Sequence, residues 1–155
     1  MSTPRWLPRV TRAGFIVVGV APWILSLARA ALPLGRAGEL LDLLFVPMCH
    51  RIPARTLYFA DVPMPLCSRC AGIFAGLALG ALIMRPRLSL AQWRIAVAVT
   101  SALILLDIVT QDLGVHPIWH VTRVATGLLF GFAIGAACLQ AMRSADGEED
   151  PLADR

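Results

Sequence analysis

The sequence predicts an all-α integral membrane protein. The expected architecture is a bundle of four transmembrane helices, with a short interfacial or re-entrant helix between the first two. Three observations lead there. Hydrophobic residues make up 57% of the chain, charged residues only 15%, and mean hydropathy is +0.70, whereas soluble domains carry about 25% charged residues. Four apolar runs approach the ~20 residues needed to cross a bilayer. The basic residues, all 14 of them arginine, flank those runs. A disordered chain, a nucleic-acid-binding domain and an ordinary soluble enzyme are thereby excluded. The pI near 9.4 reads as a topology signal and not as a nucleic-acid footprint.

The first span is Ala13 to Leu32, with Pro22 as a kink and Arg29 placed to snorkel near its end. No cleaved signal peptide is expected, because this run is too long for a signal h-region and no small-residue cleavage site follows. Next comes Glu39 to Val46, too short to span and ended by Pro47, which reads as the interfacial or re-entrant helix. The second span runs from Cys67 to Met84, with Cys67–Cys70 at the membrane boundary. The third is Ile95 to Asp112 and the fourth Ile118 to Met142, with Pro117 marking the start of its first turn. The chain thus divides into a basic cytoplasmic segment (1–12), a transmembrane domain (13–142) and an acidic disordered tail (143–155).

Orientation follows from counting arginines. Arg5, Arg9, Arg12, Arg85, Arg87, Arg94 and Arg143 share one side of a four-span bundle. The positive-inside rule makes that side cytoplasmic and puts both termini there, in a prokaryotic cytoplasmic membrane. Gly72, Gly76 and Gly80 in the second span, and Gly127, Gly131 and Gly135 in the fourth, repeat every four residues. Each trio lies on one helix face, so these spans are expected to pack against each other or, in a homo-oligomer, against a second copy.

The chemically capable residues gather at the other, outer end. Cys49 and His50 lie in the first outer segment, and Cys67 and Cys70 open the second span. Asp107, Gln111 and Asp112 close the third span, His116 is in the turn, and His120 and Arg123 open the fourth. Asp107 and Gln111 share a helix face. An intramembrane carboxylate marks a functional site by default, and Arg123 is its expected partner, either at a working site or as a buried pair that fixes helix register. His116 and His120 share a face if the helix begins before His116. Cys138 reads as a packing residue.

The spacing of Cys67 and Cys70 suits a metal chelate or a reversible disulfide. Arg69 between them and the helix N-terminus beneath favour thiolate. Cys49 and His50 can complete the ligand set, provided a turn lets both reach one ion.

At these residues the chain resembles the domain-of-unknown-function family twenty eighty-five, small prokaryotic membrane proteins. The resemblance runs from about Pro47 to Gly135 and rests on Cys49-His50, Pro53-Ala54-Arg55 and Cys67-Ser68-Arg69-Cys70-Ala71-Gly72. Asp107, Gln111, Arg123, Thr126 and Gly127 continue it. It implies a multi-span membrane protein and brings no activity, substrate or cofactor.

Three functional readings remain open. In the first, Cys49, His50, Cys67 and Cys70 hold a thiophilic metal ion, zinc first. Asp107, His120, Arg123 and Gln111 then serve as catalytic or anion-binding residues for hydrolysis of a lipid-linked or other anionic substrate. In the second, Cys67 and Cys70 form the pair of a membrane thiol–disulfide oxidoreductase, with Cys49 resolving. In the third the role is structural or in transport. The expected partners are the lipid bilayer and an anionic small molecule, with no nucleic acid.

Overall fold

The computed structural model describes residues 6–32, 34–49, 52–83 and 88–145. Five helices and one hairpin follow each other along the chain: α1 (Leu7–Ala31), α2 (Gly35–Leu43), β1 (Thr56–Phe59), β2 (Val62–Cys67), α3 (Ser68–Ile83), α4 (Leu90–Asp112) and α5 (His120–Ala145). A single 3₁₀ turn, Pro53–Arg55, leads into β1.

Three helices, α1, α4 and α5, are long and apolar enough to cross a membrane. The fourth expected span, α3, has 16 residues, roughly 24 Å at ~1.5 Å per residue, and falls short of that length. Large apolar side chains on α1 and α4, such as Val17, Ile24, Ile95, Val99, Leu105 and Leu106, are exposed. A water-soluble surface does not sustain so broad an apolar face.

Helix α1 begins at Leu7, earlier than the expected Ala13, because Pro8 in its first turn needs no N–H partner. Pro22 lies inside it, and the Ser26 hydroxyl donates to the Pro22 carbonyl at 2.6 Å. Gly19, Pro22 and Ser26 form its buried face. A side chain at Gly19 would meet the Phe74 carbonyl and Ala78 of α3. At one end of this contact Trp23 Nε1 donates to Ala71 O at 3.3 Å, and at the other Arg12 Nε donates to Ala81 O at 2.6 Å. The order of these partners makes α1 and α3 antiparallel.

The most extensive contact joins α3 to α5. A Cβ at Gly72 would strike Val124 O, at Gly76 Leu128 O, and at Gly80 Phe132 O. In return, Gly127 faces Arg69 O, Gly131 faces Ile73 O and Gly135 faces Leu77 O. Partners rise together along both helices, so α3 and α5 run parallel. Each backbone lies in the notch left by the other's missing side chains. The two glycine trios face each other within one chain.

Helix α4 opens with a capping box. Ser89 Oγ accepts from Gln92 N at 3.2 Å, and Gln92 Oε1 accepts from Ser89 N at 2.9 Å. Its buried residues are Trp93 and Asp107. Trp93 tilts against Phe132 at 6.0 Å, beside Ala136 and Leu139 of α5.

The hairpin corrects the all-helical expectation. Strands β1 and β2 pair antiparallel, with Thr56 opposite Cys67 and Phe59 opposite Val62. The turn residues Ala60 and Asp61 have φ of 47° and 63°, the left-handed pair of a two-residue hairpin turn. Met64, Pro65 and Leu66 are fully buried, and Phe59 meets Trp23 of α1 edge-on at 6.2 Å. The extended chain therefore lies on α1 and delivers Cys67 directly to the first residue of α3. The segment expected to hold an interfacial helix contains α2, which stands earlier than expected and is tied to α1 by the Arg29–Asp42 ion pair.

Candidate functional site

Three different elements bring the cysteines together. Cys49 follows the turns after α2, with its N–H bonded to Phe45 O at 3.1 Å, and is buried. Cys67 ends β2, and Cys70 lies in the first turn of α3. Their three Sγ atoms lie within 4.8 Å of one another. The Cys67 N–H donates to Cys49 Sγ at 3.2 Å, fixing the loop cysteine to the strand end. All three are free thiols, as is Cys138, which lies apart on α5.

The environment favours the thiolate of Cys67. Its pKa is lowered to about 4, first by the hydrogen bond from the Cys70 thiol, then by Cys49 and the charge of Arg123, against the opposing effect of burial. The orphan N–H groups at the start of α3 add positive potential.

A pocket of about 210 Å³ opens on this cluster. Its walls are the three cysteines and three arginines, Arg55, Arg69 and Arg123, with Met48 and Ile52 as apolar neighbours. Each guanidinium is held differently. Arg69 pairs with Asp107, and both side chains are largely buried. Arg123, 2% exposed, donates from Nε to Ser68 Oγ at 3.1 Å and from Nη1 to Gln111 Oε1. Arg55 lies 3.6 Å from Asp112 at the surface. Arg123 is thus a buried cation whose side-chain hydrogen-bond partners are neutral, beside Cys67 in the wall of the same pocket.

The expected pairing of Asp107 with Arg123 is therefore corrected. Asp107 and Gln111 do share one face of α4, but they serve different arginines, one from α3 and one from α5. The glycine-mediated approach of α3 to α5 sets the Arg69 backbone against Gly127, and the Arg69 side chain reaches Asp107 of α4. Arg123 turns instead to Ser68 and Gln111.

His116 and His120 do not join the cluster. Helix α5 starts at His120 itself, later than expected from Pro117, so His116 and His120 do not share a helix face. His116 stacks on Trp119 at 5.0 Å and bonds to Thr110 Oγ1 at 3.0 Å. His120 is half-buried, does not line the pocket, and its Nδ1 has no hydrogen-bond partner among the described residues. His50 lies outside the described residues. Sequence reasoning missed Ser68 as a partner of Arg123; its place between Cys67 and Arg69 at a helix start was the available signal.

Fold and site together define a multi-span helical membrane protein with a cysteine- and arginine-lined pocket at one end. The family described as "Predicted membrane protein (DUF2085)" matches residues 49–137, more than half of the chain, and takes in the three cysteines and three arginines of this pocket. The chain belongs to that family. It is 27% identical over 94 residues to an uncharacterised protein of Methanocaldococcus jannaschii, a stretch covering 56% of this chain and 58% of that protein. The chain thus spans a little over half the length of this relative. No solved structure matches.

Proposed function

We propose that the protein binds a thiophilic metal ion, zinc first, through Cys49, Cys67 and Cys70, and presents it to an anionic group held by Arg55, Arg69 and Arg123. The observation that carries this reading is the convergence of three sulfur atoms within 4.8 Å. Tetrahedral zinc places sulfurs about 2.3 Å from the metal and hence about 3.8 Å apart, so a modest contraction of the cluster completes the site. The donor set fits: thiolates are soft ligands, and surrounding guanidiniums offset their charge. His50, adjacent to Cys49, is the natural fourth donor for a closed site; otherwise the fourth position faces the arginines.

The chain's own residues do the remaining work. Gln111 and Ser68 hold Arg123 at the pocket wall, and Asp107 holds Arg69. Arg55, only loosely paired, is free to engage a phosphate or carboxylate bidentately. A bound metal would supply Lewis-acid polarisation of that anion. Asp107, Gln111 and His120 stand outside the pocket lining, so the geometry supports capture of a lipid-linked or other anionic molecule more directly than its hydrolysis.

The topology proposed is four spans. Helix α3 runs antiparallel to α1 and parallel to α5, packed between two helices that are each long enough to cross, which supports α3 as the fourth crossing. Both termini are then cytoplasmic, the pocket faces outward and α2 lies at the interface.

The test is metal content by mass spectrometry on protein purified without chelator. Wild type is expected to carry about one equivalent, as a single tetrahedral site requires, and Cys67→Ser/Cys70→Ser none; His50→Ala separates a closed from an open site. No metal in wild type refutes the reading. A second reading, thiol–disulfide exchange through Cys67 and Cys70, is favoured by one observation, the closeness of their free thiols, whose Sγ atoms lie within 4.8 Å. Turnover with a dithiol and a quinone acceptor tests it.

A further inference from the structure

A second pocket, of about 200 Å³, lies at the end of the bundle away from the cysteines. It is lined by Pro8, Arg9 and Arg12 of α1 and by Leu139 and Arg143 of α5. Both helices are among those long and apolar enough to cross a membrane, and these residues sit at their ends, where a bilayer presents its headgroups.

Arg12 is fixed in place. Its Nε donates to Ala81 O at 2.6 Å and its Nη2 to Leu82 O at 2.9 Å, at the last turn of α3. The other N–H groups of its guanidinium are uncommitted among the described residues. Arg9 and Arg143 have no carboxylate partner among the described residues. Helix α1 adds donors of its own: Trp6, at its N-cap, makes no side-chain capping bond, and the first turn contains no acid. Three arginines thus line one cavity near the start of α1, with no negative charge supplied by the described residues. Repulsion among them is relieved by an anion, and basic pockets between membrane helices accommodate lipid phosphates.

We infer that this pocket is a binding site for the phosphate of an anionic phospholipid headgroup, with Arg12 as the fixed contact and Arg9 and Arg143 as the closing pair. The leaflet it takes its lipid from is the one opposite the cysteine pocket.

The experiment is native mass spectrometry of the full chain in detergent, titrated with phosphatidylglycerol, cardiolipin or phosphatidylcholine, and with inorganic phosphate as competitor. Wild type is expected to prefer the anionic lipids over phosphatidylcholine by about tenfold, and Arg9→Gln/Arg143→Gln to lose that preference. Arg36→Gln/Arg94→Gln removes equal charge from exposed positions elsewhere and keeps it. The single variant Arg143→Gln, in the last helical turn, reports an intermediate preference if the double variant fails to fold. The inference is overturned if Arg9→Gln/Arg143→Gln retains the preference, or if both double variants lose it equally. Displacement of the lipid by millimolar inorganic phosphate equally overturns the lipid as ligand. Arg12 is left intact in every variant because it also bonds the end of α3.

Discussion

Replacing Asp107 with asparagine removes one charge of a largely buried pair and leaves the Arg69 guanidinium without its counter-ion. The side chains are 13% and 5% exposed, so solvent screens them little. Two unit charges about 4 Å apart attract by about 4 kcal/mol at an effective dielectric near 20, and breaking one side of a buried pair costs about 3–5 kcal/mol. Asp107→Asn is therefore expected to lower the thermal midpoint in detergent by about 10 °C. Arg69→Gln should do much the same. The assay is a double-mutant cycle followed by tryptophan emission during thermal unfolding. Asp107→Asn/Arg69→Gln should be less damaging than the sum of its parts, with a coupling of at least ~1.5 kcal/mol. Asp107→Asn/Arg123→Gln should be close to additive, because Arg123 bonds to Gln111 and Ser68 instead. Coupling to Arg123 without coupling to Arg69 would refute the pairing.

Gly131→Leu drives a side chain into the Ile73 backbone and should abolish the folded form on detergent gel filtration, whereas Gly14→Ala, with nothing near its Cβ position, should leave the midpoint unchanged or slightly raised. Ala60 holds φ at 47°, a conformation that costs a side-chain-bearing residue about 1–2 kcal/mol; Ala60→Gly should therefore raise stability by about 1 kcal/mol in the same unfolding assay, and a loss would argue against the turn. With the Cys67 pKa near 4, metal-free protein should alkylate at Cys67 at pH 6 as fast as at pH 8, which peptide mapping reads; a rate that falls steeply between pH 8 and pH 6 would refute it.

Much of this was legible because membrane helices are specified by long apolar runs, which need no tertiary knowledge to recognise. The glycine spacing also carried through to packing, since a face without side chains has few uses other than close approach. The hairpin was hidden for local reasons. Pro63 and Pro65 argue against a strand, and Ala60-Asp61 is not the Asn-Gly or Asp-Gly signature of its turn type. Yet β2 is the element that hands Cys67 to α3, so the reason Cys49 can reach the pair was hidden with it. The three cysteines were recognisable by type and by their shared end of the bundle. The partner of Asp107 was not: Arg69 and Arg123 lie at similar depth, and only the relative placement of α3 and α5 decides between them.

That placement has a mechanical consequence. Because α3 and α5 run parallel, with each peptide carbonyl seated in a glycine notch of the other, they behave like two toothed racks. A slip by a fraction of a turn would drive Ile73 or Leu128 into backbone, so the next allowed position is a whole turn away, about 5.4 Å along the axis. Cys70 and Arg69 ride on one rack and Arg123 on the other. The pocket's dimensions are thus indexed by teeth deep in the bundle and not only by the segment that carries Cys49, so any rearrangement of the pocket that involves these helices must proceed in discrete steps.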